Sequence, residues 1–384
     1  MNKVRLGDIC NISSGGTPSR SKHEYWENGT IPWVKISDFK DKYIKATEER
    51  ITPLALENSS AKLLHKGCIL FSIFATIGEV SILDIDAATN QAIASLELKS
   101  DLISIEYLYC FLTSLKSQVS RMGRGVAQNN INLSILKNIE IIIPEKKIQT
   151  DITKRLETLD YMIALSNIHL RKLDELIKSR FVEMFGDVVH NTKNWDKHIF
   201  SDIATSRLGK MLDTKKQIGE FSFPYLANFN VQWFEFNLSS LNQMDFDEKD
   251  QAEFALKEGD LLVCEGGEIG RCAIWHNEIS PCYFQKALHR VRCNQDIILP
   301  MYLAWWFKFN CENKGFSDIE GAKATISHLP GAKLKRLNVV VPPVELQQQF
   351  ANFVEKVNKS KTTVQQCIDK LETLKKSLMQ EYFG

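Results

Sequence analysis

The sequence predicts an α+β protein in which two α/β domains are separated by a pair of long antiparallel coiled-coil helices, with a pseudo-two-fold internal repeat. Three observations predict this fold. The chain repeats itself at a fixed offset, long stretches carry apolar residues at helical spacing, and the rest is rich in short apolar strands. With 384 residues, the chain is also longer than one compact core usually accommodates.

The repeat is clearest at the ends of the two halves. Residues 171–186 (RKLDELIKSRFVEMFG) and 369–384 (DKLETLKKSLMQEYFG) share eight identities at an offset of 198. Upstream, Pro144 and Gln149 recur as Pro342 and Gln347 at the same offset, and the remaining match is looser. A spacing this long exceeds the periods of solenoid repeats and indicates domain duplication. Because the helix ends match well and the domains poorly, we expect one shared role for the helices and two roles for the domains.

Each half ends in a predicted long helix. From Gln149 to about Phe185 there is no proline, and apolar residues recur at alternating steps of three and four, as in a coiled-coil seam. The second copy keeps this seam but has Lys361 and Lys375 at two of its positions. A helix of roughly 37 residues spans about 55 Å and needs a partner for its seam. We expect the other helix, running antiparallel; in the alternative, each helix packs on its own domain.

The two domains are predicted to be rich in strands. Residues 67–83 and 259–275 have the pattern of paired strands broken by glycine turns. Residues 138–143 and 337–341 have the pattern of short strands ended by proline, and residues 107–120 and 301–309 that of buried helices. Trp305 and Trp306 are more typical of a core than of a base-stacking platform. The predicted boundaries are 1–143 for domain 1, 144–186 for its helix, 187–342 for domain 2 and 343–384 for the C-terminal helix.

Composition narrows the class of protein. The formal net charge of +1 excludes a uniformly basic coat for nucleic acid, although local basic patches remain possible. We find no run of roughly 18 apolar residues and no signal-peptide pattern at the start, so we predict a cytoplasmic protein without a membrane span. The nine cysteines lack a Cys-x-x-Cys pair, which favours buried free thiols. The alternative is a zinc site of unusual spacing formed by Cys264, Cys272, Cys282 and Cys293.

Motifs for catalysis are weak or missing. There is no Gly-x-x-x-x-Gly-Lys-Ser/Thr phosphate loop, and no signature of an adenine methyltransferase pocket. Residues 265–270 are rich in glycine, but no helical pattern follows them as dinucleotide binding would require. Cys282 and His289 have no local support as a thiol-protease pair. Residues 312–314 lack the upstream acidic partner of a nuclease motif. We therefore predict that the chain is not an enzyme.

Several segments, taken in order, resemble the specificity subunit of type I restriction–modification systems. They are residues 6–9 (LGDI), 14–19 (SGGTPS), 31–35 (IPWVK) and 67–78, together with a proline followed soon by glutamine at the start of each long helix. The resemblance covers the whole chain, including its two-copy order. The second copy departs from it, because residues 206–210 (SRLGK) stand where the first copy has its glycine-threonine-proline loop.

The resemblance implies a division of labour among subunits. Each domain would be a target-recognition domain for one half of a bipartite asymmetric site in double-stranded DNA. The helices would dock two methyltransferase subunits and set the half-site spacing, and motor/nuclease subunits would join. S-adenosylmethionine, ATP and Mg²⁺ would bind to those partners and no cofactor to this chain. Two alternatives are a DNA-binding protein of another system, such as a two-domain repressor, and a self-contained enzyme; co-purification separates the three.

DNA recognition needs amides and guanidinium groups on base edges, with cations and hydroxyls on phosphates. For any single candidate, an ordinary solvated surface residue is the alternative. The near-neutral total charge suggests that partners supply part of the phosphate clamp. The candidates are Thr17, Ser19, Arg20, Lys22, Lys35, Ser37, Arg124, Gln128 and Asn129 in domain 1, and Lys210, Thr214, Lys215, Lys216, Asn228, Asn230, Gln232, Lys323 and Thr325 in domain 2.

Overall fold

Packing divides the chain into two compact units. The computed structural model describes residues 3–116, 131–213, 217, 219–317 and 328–384. Unit 1 combines Met1–Ile168 with Gln365–Gly384, and unit 2 is His169–Val364. Both divisions fall inside a long helix, so each unit consists of one α/β domain and segments of two helices. The domain boundaries drawn from the sequence, which separate helices from domains, stay a prediction.

Unit 1 contains three small sheets among its described residues. A five-stranded sheet has the order β2-β9-β6-β7-β4, a three-stranded sheet the order β5-β3-β8, and β1 pairs with β10. The strands are β1 (Lys3–Arg5), β2 (Cys10–Ser14), β3 (Ile31–Val34), β4 (Tyr43–Ile44), β5 (Glu49–Ile51), β6 (Ile69–Ser72), β7 (Val80–Leu83), β8 (Ala88–Thr89), β9 (Ile93–Leu98) and β10 (Glu140–Ile142). The short helices are α1 (Leu6–Ile9), α2 (Pro53–Glu57), α3 (Ile105–Ser114) and α4 (Leu133–Asn138).

Unit 2 repeats this plan. Its described sheets have the orders β12-β18-β15-β16 and β14-β13-β17, and β11 pairs with β19. The strands are β11 (Asp196–Ile199), β12 (Ala204–Leu208), β13 (Ser222–Leu226), β14 (Asn242–Asp245), β15 (Leu261–Cys264), β16 (Cys272–Ile274), β17 (Tyr283–Phe284), β18 (Leu288–Cys293) and β19 (Asn338–Val341). The shorter helices are α6 (Phe200–Ile203), α7 (Glu248–Phe254), α8 (Pro300–Glu312) and α9 (Gly331–Lys335), and the long ones are α5 (Lys146–Phe185) and α10 (Val344–Phe383). Apart from β4, which has no counterpart among the described strands of unit 2, the strand orders match and confirm the internal repeat.

Most local predictions agree with these elements. The two predicted strand pairs are the antiparallel pairs β6-β7 and β15-β16. Trp305 and Trp306 lie on α8 and are 9% and 3% exposed within the core of unit 2, which confirms that they are core residues. Some boundaries differ. The strand predicted to begin at Asn138 begins at Glu140, because the chain is still helical in α4 up to Asn138. The helix predicted over 107–120 is α3, Ile105–Ser114, and residues 117–120 lie outside the described residues.

The long helices pair antiparallel within each unit. In unit 1, Lys375 of α10 forms an ion pair with Asp160 of α5. In unit 2, Lys361 pairs with Asp174 at 2.6 Å. These are the two lysines at seam positions of the second copy. Asp174 follows Asp160 along α5, whereas Lys361 precedes Lys375 along α10 by the same number of residues. The two helices therefore run antiparallel in one register. A lysine tolerates a seam position because its aliphatic stem packs while its amine reaches a carboxylate at the edge. The predicted antiparallel helix pair is confirmed.

The matched helix ends are core residues of the two units. In unit 1, Phe383 of α10 packs 5.3 Å from the ring of Tyr107. In unit 2, Phe185 of α5, which is fully buried, packs 4.8 Å from the ring of Tyr302. The alternative that each helix packs only on its own domain is therefore wrong. Each long helix starts in one unit and completes the core of the other.

A buried glutamine fixes the start of each long helix to its domain. The Gln149 side chain donates to the carbonyl oxygens of Leu102 and Pro144, both at 2.8 Å, and accepts from Ser104 N–H at 2.9 Å. Gln347 has the same geometry: it donates to Ile297 and Pro342 and accepts from Leu299 N–H at 2.8 Å. Both glutamines are fully buried. The recurring proline-glutamine pattern is thus a rigid joint between domain and helix.

The cysteines are free thiols, but not all of them are buried. Six are buried, and burial raises the pKa of Cys10 and Cys68 to about 12 and that of Cys110 to about 11. Cys293 and Cys311 are partly exposed and Cys367 is exposed. The prediction of burial was wrong for Cys367, because it lies on an outward face of α10.

Replacing the buried glutamine of unit 2 with alanine should destabilise that unit. Gln347→Ala leaves one amide N–H and two carbonyl groups without a partner, at a cost of at least about 2 kcal/mol. Gln348→Ala is the matched control, because this neighbouring glutamine is exposed on the same helix. Five of the seven tryptophans, Trp195, Trp233, Trp275, Trp305 and Trp306, lie in unit 2, so urea unfolding followed by tryptophan fluorescence reports on it. Equal urea midpoints for Gln347→Ala and Gln348→Ala would show that the Gln347 side chain does not stabilise the junction between domain and helix.

Candidate nucleic-acid interface

A glycine-dependent loop follows β2 in unit 1. We call residues 15–22 crossing loop 1, because Gly15 N–H and Gly16 N–H donate to the carbonyl groups of Ile93 (3.2 Å) and Thr89 (2.9 Å) as the chain crosses the ends of β9 and β8. A Cβ on Gly15 would lie 2.2 Å from the carbonyl oxygen of Thr89, so only glycine fits. The indole N–H of Trp33 donates to Gly16 O at 3.1 Å, which fixes the base of the loop.

The cations of crossing loop 1 and its surroundings are paired within unit 1. The Arg20 guanidinium lies 3.7 Å above the ring of Trp26 and pairs with Glu49 at 2.6 Å. Lys35 pairs with the same Glu49 at 2.8 Å and with Glu48 at 3.4 Å. Burial alone would raise the pKa of Glu49, but the hydrogen bonds from Arg20 and Lys35 lower it below its ordinary value. Arg20 and Lys35 therefore already have a carboxylate partner.

The other predicted residues of domain 1 fall into two groups. Thr17 contacts Gln91, Ser19 hydrogen-bonds Ser21 at 2.8 Å, and Lys22 donates to the Tyr25 hydroxyl at 2.9 Å. These residues come together with Arg20 in crossing loop 1, and the exposed Ser37 follows Lys35 in a short 3-10 helix. Arg124, Gln128 and Asn129 lie outside the described residues.

Unit 2 has an equivalent loop that begins within residues 206–210, where the sequence departs from the first copy. Gly209 N–H and Lys210 N–H donate to the carbonyl groups of Leu288 (3.0 Å) and Phe284 (3.1 Å), the counterparts of Ile93 and Thr89. A Cβ on Gly209 would lie 2.3 Å from the Gln285 carbonyl oxygen. We call residues 209–212 crossing loop 2. The departure of residues 206–210 from the first copy is thus a change of side chains on a retained backbone path.

The cations at the start of crossing loop 2 are also paired. Lys210 forms an ion pair with Asp250 of α7, and its side chain is only 20% exposed. Arg207, just before the loop, pairs with Glu253 of the same helix. In both units, carboxylates of the same domain therefore pair with two of the basic side chains in or near the loop.

The predicted amides of domain 2 are largely engaged inside the domain. Asn230 is fully buried, donates to the carbonyls of Asn237 and Ser240 and accepts from Ala227 N–H at 2.9 Å, which leaves no surface for DNA to reach. Asn228 donates to Gly266 O and accepts from Arg271 at 2.6 Å. Gln232 donates to Phe229 O at 3.0 Å. Thr214, Lys215, Lys216, Lys323 and Thr325 lie outside the described residues.

Sequence reasoning missed the side chains beside the tips of the two loops. Gln91 contacts Thr17 in unit 1, and Lys286 lies 4.0 Å from the Met211 sulfur in unit 2. Gln91 and Lys286 occupy equivalent positions, two residues before Ile93 and Leu288. A signal was available: Gln91-Ala92 and Lys286-Ala287 are separated by the same number of residues as Tyr107-Leu108 and Tyr302-Leu303 of the two predicted buried helices.

The structure does not favour the thiol-protease pair or the zinc site that the sequence left as alternatives. Cys282 is buried, which raises the pKa of its thiol to about 12 and disfavours the thiolate that a nucleophile needs. His289 is buried, and its Nε2 lies 3.0 Å from Leu329 O. Within the described ranges, no group of three or more His, Cys, Asp or Glu side chains is placed to hold a metal ion. No helix in that part of the chain is long and apolar enough to cross a membrane.

Comparison with protein families matches both halves of the chain. The family model of the type I restriction modification DNA specificity domain matches residues 1–175 and 192–373. The chain belongs to this family. The two matched regions follow the two copies of the repeat, and each contains one crossing loop.

Individual relatives agree with the family. The chain is similar to the type I restriction enzyme MjaIX specificity subunit of Methanocaldococcus jannaschii, at 29% identity over 50% of this chain and 42% of that protein. It is also similar to the EcoR124I/EcoR124II specificity subunit of Escherichia coli, at 29% identity over 40% of each chain. The chain thus aligns with less than half the length of these two relatives.

Solved structures share the fold over the whole chain. A chain from a type I restriction–modification structure concerned with complex assembly matches with a TM-score of 0.69 at 15% identity, covering 100% of this chain and 97% of that one. The S subunit from M. genitalium matches with a TM-score of 0.54 at 14% identity, covering 100% and 96%. At these identities the likeness shows the family's two-domain fold.

The Arg20→Lys substitution should lower the stability of the free protein, measured in the absence of DNA. Lysine keeps the charge that a phosphate contact needs but loses the planar stacking on Trp26 and the directed pair with Glu49. Because Arg20 is about half exposed, we expect a loss of about 1 kcal/mol, measured by calorimetry on the free protein. Lys62→Ala, at an exposed position, is the control and should leave the transition unchanged. Full stability of Arg20→Lys would show that Arg20 has no structural role.

Proposed function

We propose that this chain is the non-catalytic specificity subunit of a type I restriction–modification enzyme. Each of its two recognition domains would bind one half of a bipartite, asymmetric site in double-stranded DNA. The observation that carries the proposal is the pair of crossing loops: one backbone path occurs in both domains, with different side chains at the tips. Two domains of one fold and different surface chemistry suit a site whose halves differ in sequence.

We infer that the long helices dock two methyltransferase subunits, from the residues that the repeat preserves without a structural reason. Lys172, Leu176, Ser179 and Glu183 recur as Lys370, Leu374, Ser377 and Glu381, and all eight are exposed. Steps of four, three and four place each set on one helix face. Leu176 and Leu374 are each 47% exposed, although leucine is usually buried. Core packing does not require these exposed residues to match. Two copies of one partner, each binding to one helix, would require the match.

The partner subunits would supply the chemistry. Methyltransferase subunits would bind S-adenosylmethionine, and motor/nuclease subunits would bind ATP and Mg²⁺. The pairing of Arg20, Lys35, Arg207 and Lys210 with carboxylates supports a partner contribution to phosphate binding, since these four cations are already neutralised within the chain. Mixing the purified chain with its neighbouring methyltransferase tests the proposal: methylation of a bipartite motif is expected, and turnover by the chain alone would contradict it.

We call the two repeated sets of exposed residues the stripes of α5 and α10. An aspartate in either stripe should remove one methyltransferase from the complex. In Leu176→Asp or Leu374→Asp, a charge replaces an apolar side chain that we place at the centre of a docking face, so the complex should fall from two methyltransferases per chain to one. The double variant should bind none. Native mass spectrometry of the co-expressed subunits counts them.

Leu165→Asp is the matched control for this experiment. Leu165 lies on α5, as Leu176 does, and is 52% exposed. Its counterpart at the repeat offset is Thr363, so the repeat does not preserve this leucine. This variant should keep two methyltransferases. If all three single variants behave alike, the repeated stripe is not the docking surface.

We propose further that the helices set the spacing between half-sites. The rigid glutamine joints connect each domain to its helix without a flexible linker, so a change in helix length should reach the DNA. One heptad inserted into both helices, between Asn167 and Ile168 and between Cys367 and Ile368, lengthens each by about 10.5 Å and keeps the seam in phase. The ion pairs of Asp160 and Asp174 remain on either side of the insertion.

The lengthened helices should favour a longer spacer. At about 3.4 Å per base pair, the insertion corresponds to about three base pairs. Competition binding of the complex to duplexes whose half-sites are separated by different spacers measures the preferred length, and methylome sequencing checks it in cells. An insertion variant that prefers the original spacing would show that the helices do not set it.

A further inference from the structure

The tips of the two crossing loops are where equivalent positions of the domains differ most in chemistry. In unit 1, the exposed Gln91 contacts the Thr17 hydroxyl. In unit 2, the exposed Lys286 takes the place of Gln91, and Met211 takes the place of Thr17 at 4.0 Å from it. The backbone below is held by the same pair of hydrogen bonds and the same required glycine in both units. The side chains of Gln91 and Lys286 can therefore differ without a change of fold.

These two side chains remain available to a ligand, unlike their neighbours. Arg20, Lys35, Arg207 and Lys210 are each paired with a carboxylate. Over the ranges that the structure describes, Lys286 has no carboxylate partner, and the amide N–H₂ of Gln91 donates to no other group. Both lie beside a crossing loop whose backbone is held by hydrogen bonds, which limits the entropy lost when this surface binds.

An independent feature marks the same place in unit 2. Met211 and Leu212 are consecutive residues of crossing loop 2 and are 59% and 41% exposed. Two large apolar side chains at the tip of a polar loop are suited to an apolar contact, and the major groove offers the thymine methyl group for it. Unit 1 has Thr17 and Pro18 at the corresponding positions.

We propose that Gln91 and Lys286 are equivalent base-recognition residues, with Gln91 binding an adenine in one half-site and Lys286 a guanine in the other. A glutamine amide donates to adenine N7 and accepts from adenine N6, and a lysine amine donates to guanine O6 and N7. The identity of one base in each half-site then follows from one side chain beside the tip of each crossing loop. This inference rests on the proposed function, because it requires that the domains bind DNA.

The test uses the complex with its methyltransferase. The methylome of cells carrying the wild-type complex first defines the two half-sites. Gln91→Ala should then make one adenine position of one half-site degenerate and leave the other half intact, and Lys286→Ala should do the same for one guanine of the other half. Gln365→Ala and Lys356→Ala, at exposed positions of α10 outside the loops, are the matched controls and should leave the motif unchanged.

A binding measurement covers variants that no longer methylate. Purified complexes compete for duplexes that differ from the motif at one base pair each. Wild type should discriminate by roughly ten- to a hundredfold at the position of each proposed contact, and Gln91→Ala should lose that discrimination at one position only. Gln91→Lys should move the preference at that position from adenine to guanine. A switch of this kind needs a contact to the base edge, which a structural role of Gln91 would not produce.

The possible results separate this inference from the proposed function. If Gln91→Ala weakens binding equally for all duplexes, or keeps its discrimination at every position, Gln91 does not recognise a base and the inference is overturned. The same holds if both half-sites change together. If the wild-type complex has no bipartite motif at all, the proposed function fails first. Loss of discrimination at one position in each half, by the matching variant only, supports the inference.

Discussion

A buried glutamine at the start of each long helix is the interaction on which the rest of this architecture depends. The chain leaves a strand, passes a proline and enters a helix, and this junction leaves backbone N–H and C=O groups without helical partners. One amide side chain supplies a donor and an acceptor together, so Gln149 and Gln347 can each satisfy three backbone groups in a dry interior. A carboxylate there would bury a charge, and an aliphatic side chain would leave all three groups unsatisfied.

The joint orients the helices, and the helix ends then complete the cores. The far end of α5 supplies Phe181 and Phe185 to the core of unit 2, and the far end of α10 supplies Phe383 to the core of unit 1. The ion pairs Asp160–Lys375 and Asp174–Lys361 add little energy, since they are partly exposed. They do disfavour a shifted register, which would leave the lysines of α10 beside apolar seam residues without a counter-charge. Leu176 and Leu374 stay exposed on the helix faces outside this seam.

The sequence was informative wherever one dominant periodicity or offset decided the structure. The offset of 198 located the repeat, and the spacing of apolar residues located α5 and α10, because burial of a long amphipathic face overrides local propensities. Side-chain pairing across the fold was not accessible in this way. Arg20 and Lys210 have the composition of a DNA contact, yet carboxylates distant in sequence, Glu49 and Asp250, neutralise them. Asn230 belongs to a polar loop, yet three backbone groups surround it, which only the folded chain brings together.

The crossing loops suggest how one fold can serve two recognition tasks. Gly15 and Gly209 are fixed by close backbone contacts, so their substitution would cost stability whatever DNA the domain binds. Gln91 and Lys286 stand beside those glycines in space but contribute almost nothing to the core, so exchanging them costs little stability. Positions that the backbone restricts to glycine and positions that tolerate substitution thus lie close together in each domain. Such a surface can change its target through single substitutions while the joints, the seam and the matched stripes, on which assembly would depend, stay the same. Under the proposed function, this separation accounts for helix ends that still match in two copies whose domains have diverged.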